Sequence, residues 1–297
     1  MITGGAGFIG QHLVSDLFYL GYEVVAVDRV SSNLFQQMPS VKFYNRDITC
    51  SDDLDDIMHN VDLVYHLASN SDVRNKEADE KDTFGTTHAV LTSMNKNHVK
   101  KILFTSSSAV YGVGPNPWSE NHSLNPISEY GKAKEMSEIL IKNECMKKKL
   151  NAVILRLANV VGKDQTHGVL VDFIQKLQQN PHTLEIKGNG QQTKEYIHIS
   201  DVLNAMHCTM KINRQFEIYN VSNGTPLSVL EIADLVCHTM RLNNVEYIPE
   251  KNEGGWDGDV PSYSLDISKL KSIGWGCQFD SISAVEKAAS DLIFSNQ

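Results

Sequence analysis

Residues 1–13 read MITGGAGFIGQHL, and the meaning of their three evenly spaced glycines decides the fold. Gly4, Gly7 and Gly10 form GxxGxxG. Glycines at this spacing allow a tight turn, let backbone N–H groups approach phosphate oxygens, and let the next helix pack close to its strand. The spacing alone is a weak signal; its context strengthens it. Ile9, Leu13, Leu17 and Leu20 follow at helical intervals, and Gly21 stops the run. YEVVAVDR then reads as a strand closing at Asp28, near the separation of about 20 residues expected for an acid that binds a ribose 2′-hydroxyl. A carboxylate there repels a 2′-phosphate and favours NAD over NADP, although Arg29 beside it is a competing cation. Only Met1, Ile2 and Thr3 precede the turn, where a strand usually runs to about 5–6 residues. The expectation is that they are the surviving end of a central strand whose first residues are absent from the chain or were never encoded.

Farther along, VKFYNRDI reads as a strand ending near Asp47, and SDDLDDIM as a short helix with an N-cap serine and an acidic first turn. VDLVYHLA is a strand, residues 83–97 a helix, KKILFTSS a strand, SEYGKAKEMSEILIKNECMKKK a long helix and LNAVILRLANVVG a sixth strand. Strands alternating with helices argue for a parallel sheet covered on both faces, because each parallel pair needs a crossover. The predicted fold is α/β: a Rossmann doubly wound parallel sheet over residues 1–158, binding the dinucleotide, and a smaller α/β substrate domain over 159–297. Part of about 190–210 is expected to return to the first domain. The C-terminal region holds GNGQQTKEYIHIS, a helix from Asp201 and a helix in SVLEIADLVCHTM, with no repeat or low-complexity tract.

Composition narrows the function classes. The chain of 297 residues is 41% apolar and carries a formal net charge of -9, which argues against a general nucleic-acid or anionic-membrane partner. Cys50, Cys145, Cys208, Cys237 and Cys277 are scattered without CxxC or histidine partners at ligand spacing, so the reading is reduced thiols in a cytoplasmic protein with no metal site. No apolar run approaches the roughly 20 residues that span a bilayer.

Tyr130 and Lys134 form YxxxK on the long predicted helix. Positions i and i+4 share a face, so an ammonium lies beside a phenol and favours its deprotonated form, suiting tyrosine to general-base work. Tyr247 and Lys251 match the same spacing in YIPEK, but Pro249 speaks against a helix there. TSSSAVYG, at the end of the preceding strand, offers hydroxyls to a substrate oxygen or simply caps the strand. His66 and His198 read as structural, since neither has a partner at metal or catalytic spacing.

In this order, TGGAGFIG, VDLVYHLAS, FTSSSAVYG, PISEYGKAK, RLANVVG, GNGQQTKEYIHISD and NEGGWDGDVPSYSLDISKLKSIGW resemble the signature of the extended short-chain dehydrogenase/reductases. Within that family they are most similar to UDP-glucose 4-epimerases. The resemblance implies NAD as cofactor, a nucleotide sugar as substrate, and a homodimer formed through a bundle that includes the Tyr130 helix. It implies Gly4, Gly7, Phe8, Ile9, Gly10, Asp28 and Arg29 on the cofactor, with Asp47 and Ile48 at the adenine. Leu67, Ala68 and Ser69 would lie beneath the nicotinamide half, and Ser71 and Asp82 complete the set. Ser107, four residues before Tyr111, matches the family's catalytic hydroxyl. Tyr130 matches the base, and Lys134 its electrostatic partner, also bonded to the nicotinamide ribose. Asn159, Lys194, Trp256 and Tyr263 match substrate positions, together with Ser107 and Tyr130.

The implied reaction is 4-epimerisation through a transient 4-keto sugar. Family dehydratases resemble TDEVYG, where two acids serve the elimination of water; this chain has Ser108 and Ala109 there. A dehydratase or 4-reductase of the same family is the first alternative, and a non-catalytic NAD-binding regulator the second. Asp82 stands where the family often has Asn, and Lys194 where an Arg usually grips the diphosphate bidentately. Trp256 stands where a second Arg occurs, offering a stacking face instead. Tyr263 matches a position whose bulk limits 2-acetamido groups, which leans toward UDP-glucose and UDP-galactose.

Overall fold

Strand β1 (Ile2–Thr3) is two residues long, yet it lies inside the sheet, paired in parallel with Ala26–Val27 on one side and Tyr65–His66 on the other. Both of its residues are fully buried. The computed structural model describes residues 1–70, 80–114, 116–148, 150–250 and 260–294. After β1 come β2 (Val24–Asp28), β3 (Val41–Asn45), β4 (Val64–His66), β5 (Lys101–Ser107) and β6 (Asn151–Leu157). The sheet runs in the order Phe216–Val221, β6, β5, β4, β1, β2, β3, and β1 through β5 pair in parallel. This is the doubly wound arrangement expected, with the Gly-rich turn and the ends of β2, β4 and β5 on the carboxyl side of the strands.

Packing divides the chain into two units. The first comprises 1–110, 128–156 and 206–219, and the second 111–127, 157–205 and 220–297. The first is built around Leu54, Met58, Val64, Val90, Ile102, Phe104, Ile141 and Ile154. The second is built around Leu170, Phe173, Ile174, Leu184, Val236, Val285 and Ala288.

Two boundaries differ from those read in the sequence. Residues 111–127 group with the second unit, held there by Tyr111 Oη donating to Asn220 Oδ1 at 2.7 Å and by Trp118 N–H donating to Ser264 O at 2.8 Å. The segment returning to the first unit is 206–219, later than 190–210, and it supplies most of the edge strand beside β6. The predicted sixth strand is in fact two. β6 ends at Leu157, and Asn159–Val161 joins a separate three-stranded sheet, parallel to Thr193–His198, which in turn pairs antiparallel with Pro226–Ser228. An apolar run reads alike in either sheet, so only the change of partner reveals the break.

Local signals account for the helix carrying Tyr130. Ser128 Oγ accepts the Gly131 N–H at 3.1 Å, which caps Glu129–Lys148. The predicted 83–97 helix opens as a π-helical turn, Glu80–Gly85, and continues as the α-helix Thr86–Lys96. Tyr247 lies in the strand Glu246–Pro249, so its YxxxK spacing carries no meaning. Among the described residues no helix is long and apolar enough to cross a membrane.

Candidate active site

The Gly-rich turn has no room for side chains. Gly4 has φ +71°, and a Cβ there would lie 2.8 Å from Ala68 N; at Gly10 it would lie 2.0 Å from Gly4 O. Gly7 begins the Phe8–Tyr19 helix without a side-chain cap, which leaves first-turn N–H groups for an anion at the positive end of the helix dipole. Asp28 is fixed against this turn: its Oδ2 accepts the Ala6 N–H at 3.0 Å and its Oδ1 the Val30 N–H at 2.9 Å. Asp47 is exposed, and the Thr49 N–H, followed by the Lys81 and Arg29 charges, holds its carboxyl below the ordinary range. Ile48 beside it is buried, while Phe8 and Ile9 are half-buried in the helix's first turn. A bare backbone cradle, an open helix N-terminus and an oriented carboxylate fit a dinucleotide. Ser71 and Trp256 lie outside the described residues.

Behind the turn runs a polar chain that sequence reading missed. Ala68 N–H donates to Thr3 Oγ1 at 3.3 Å, leaving the threonine proton for His66 Nδ1 at 2.7 Å. His66 Nε2 meets Thr87 Oγ1 at 3.0 Å, and that hydroxyl donates to Thr83 O at 2.8 Å. These directions are all satisfied by a neutral His66 with its proton on Nε2, which gives the Thr3 hydroxyl an acceptor. Complete burial pushes its pKa down to about 3, in the same sense. The chain ties β1, the Leu67–Ser69 segment and the Thr86–Lys96 helix together.

β5 delivers Ser107 at its end, where Ser108–Val110 turns and the Ala109 N–H donates to Ser107 Oγ at 3.2 Å. The Glu129–Lys148 helix packs against both β5 and this turn. It brings Lys134, only 2% exposed, to donate from Nζ to Thr105 O at 2.7 Å. The same ammonium lies 4.8 Å from the Phe104 ring centroid and 5.7 Å from that of Tyr130. One turn beyond Lys134, Glu138 is buried with Arg156: guanidinium to carboxylate distances are 2.6 and 3.0 Å, and Ser106 Oγ donates to the same carboxylate at 2.5 Å. This ion pair also escaped sequence reading. Its available signal is an arginine in the apolar run VILRL, since a charge in a buried strand demands a partner.

In the second unit, three of the residues expected at the substrate come together. The Tyr263 hydroxyl accepts the Asn159 N–H at 3.2 Å, and the Tyr263 N–H donates to Thr193 O at 3.3 Å, next to Lys194. Glu195, fully buried, anchors the same segment by accepting from Ser264 Oγ at 2.7 Å and the Leu265 N–H at 3.2 Å. Burial raises its pKa, while those donors and Ser222 oppose the rise.

A doubly wound sheet with a bare Gly-rich turn and a Tyr–Lys pair on one helix defines a class of dinucleotide-dependent enzymes. The family model for NAD dependent epimerases/dehydratases matches residues 1–222, and the chain belongs to that family, with NAD as its cofactor. It is 34% identical to a solved UDP-galactose 4-epimerase, with a TM-score of 0.88 over 98% of this chain and 97% of that one. It is 26% identical to MoeE5 in complex with UDP-glucuronic acid and NAD, with a TM-score of 0.88 over 97% of this chain and 96% of that one. Among curated relatives it is 28% identical to the dTDP-D-glucose 4,6-dehydratase of Bos taurus, over 93% of this chain and 83% of that protein.

Proposed function

We propose that the chain is a 4-epimerase of nucleotide sugars, acting on UDP-glucose and UDP-galactose. The observation that carries this reading is Tyr130 and Lys134 on one helix packed against the end of β5, where Ser107 is followed by Ser108 and Ala109 rather than by two acids. NAD, when bound, supplies a hydride acceptor that can return what it takes. Tyr130 removes the proton from the sugar C4 hydroxyl. Its phenolate is favoured by the Lys134 ammonium and by its place in the first turn of the Glu129–Lys148 helix, whose dipole is positive there. Ser107 hydrogen-bonds the same sugar oxygen, and Lys134, held by Thr105 O, keeps its charge beside the phenol. With the 4-keto sugar turned to its other face, a hydride given back by the cofactor would reach C4 from the opposite side while Tyr130 returns the proton to the C4 oxygen, and C4 is inverted. Asn159 and Lys194 hold the diphosphate, and Tyr263 restricts the 2-substituent.

A 4,6-dehydratase is the second reading, favoured by the similarity to the bovine dehydratase. It requires an acid and a base for the loss of water, and positions 108 and 109 provide neither. Incubation with UDP-glucose, UDP-N-acetylglucosamine and dTDP-glucose, with products resolved by mass and NMR, decides between them. The expected product is the C4 epimer of UDP-glucose at unchanged mass; loss of one water identifies the dehydratase instead. A Tyr130→Phe variant is expected to bind NAD while losing on the order of 10²–10⁴-fold in turnover. Turnover at the wild-type rate would remove Tyr130 from the role of base.

A further inference from the structure

The end of β2 poses a question that the cofactor's identity does not answer. Asp28 disfavours a 2′-phosphate, but Arg29 follows it with a side chain 53% exposed, and an arginine near this position is the usual means of accommodating that phosphate. The guanidinium, however, is already engaged. Arg29 Nη1 donates at 2.6 Å to Oδ2 of Asp82, which lies in the π-helical turn Glu80–Gly85. The two partners are unequal: the Asp82 side chain is only 11% exposed. Arg29 could exchange its partner for water at little cost, whereas a nearly buried carboxylate stripped of its cation is strongly destabilised. The pair is therefore maintained from the Asp82 side.

Neighbouring charge acts in the same direction. Lys81 and Arg29 both lie close enough to Asp47 to lower its pKa. Arg29 thus lies between two carboxylates, paired with Asp82 and close enough to Asp47 to act on it. A phosphate dianion added at the ribose would meet the Asp28 carboxylate and a guanidinium whose charge is already balanced, and whose position is fixed, by Asp82.

We infer that Asp82 is a specificity-determining residue for the cofactor: by holding Arg29, it denies that guanidinium to a 2′-phosphate and so enforces the choice of NAD over NADP. Arg29 is in effect a phosphate-binding residue kept occupied by a carboxylate 53 positions away in sequence. Neutralising Asp82 would release Arg29 and leave its charge unbalanced by that carboxylate. Asp28 would still repel the phosphate, so the preference would narrow rather than invert.

The test is a double-mutant cycle on the purified full chain, with dissociation constants for NAD and NADP measured by calorimetry without substrate. Asp82→Asn is expected to improve the NADP-to-NAD affinity ratio by about tenfold or more, the scale of one charge-assisted hydrogen bond regained. Arg29→Ala in the wild-type background is expected to move the ratio by less than about twofold, because Arg29 is already occupied; in the Asp82→Asn background it should abolish the gain. Asp82→Ser serves as a second neutral substitution should Asp82→Asn disturb folding, with thermal melts confirming which variants are native. The inference is overturned if both neutral variants leave the ratio within about twofold of wild type, or if the gain survives Arg29→Ala. Because the readout is binding of the cofactor alone, failure here is distinct from failure of the epimerase reading.

Discussion

Gly10 shows how one residue can reverse an ordinary rule. Alanine inside a helix is normally favoured over glycine by about 1 kcal/mol, yet a Cβ at Gly10 would sit 2.0 Å from Gly4 O. Gly10→Ala is expected to lower stability by about 2–4 kcal/mol in urea unfolding and to weaken NAD binding. A stabilised variant would refute the close approach. His66 carries a pH prediction. Its folded pKa is about 3 against the ordinary 6.5. Between those values the unfolded chain holds a proton that the folded chain does not. Its contribution is therefore complete above about pH 6.5 and is lost as pH falls, by about 2 kcal/mol at pH 5. Unfolding curves from pH 7 to 5 should show this slope. His66→Gln, which can accept from Thr3 and donate to Thr87, should flatten it.

Elements are aligned by buried charged groups as well as by apolar packing. The Glu129–Lys148 helix is tied to β5 and β6 by the Ser106–Glu138–Arg156 cluster, with Glu138 and Arg156 side chains 4% and 3% exposed. Breaking such a pair leaves an uncompensated buried charge, so Arg156→Met alone is expected to cost about 3–5 kcal/mol. The double replacement Glu138→Leu with Arg156→Met should cost less than either single change, because no buried charge is stranded. Denaturant titration of the three variants measures this; a double variant as unstable as the sum of the singles would contradict it. The Ser128 cap was not read in the run SEYGKAKEMSEILIKNECMKKK, but the helix itself was legible there and carries the YxxxK motif. Its anchoring was not, because Glu138 and Arg156 are 18 residues apart and belong to different elements. The same limit explains the sixth strand, where a largely apolar run conceals a change of sheet at Ala158.

At the scale of the whole molecule, the Glu129–Lys148 helix leaves Met136, Ile139 and Met146 at 43, 51 and 74% exposure. Apolar side chains recurring on one face of an otherwise capped helix fit a second copy of the chain, as the family resemblance implies. Sedimentation velocity should show a dimer, and Met136→Glu with Ile139→Glu should shift it toward monomer; an unchanged dimer would place the contact elsewhere. The alternation of strands and helices, the Gly-rich turn, the acid closing β2 and the Tyr–Lys pair were set by local sequence alone, because turn sterics and the periods of strand and helix act over neighbouring positions. The tertiary structure alone decided which segments complete each unit, that a two-residue β1 is held by strands on both sides, that His66 stays neutral within a polar chain, and that Asp82 occupies Arg29. These depend on groups tens of residues apart meeting in a low-dielectric interior, where the penalty for an unpartnered charge or donor selects the pairing and no local pattern records it.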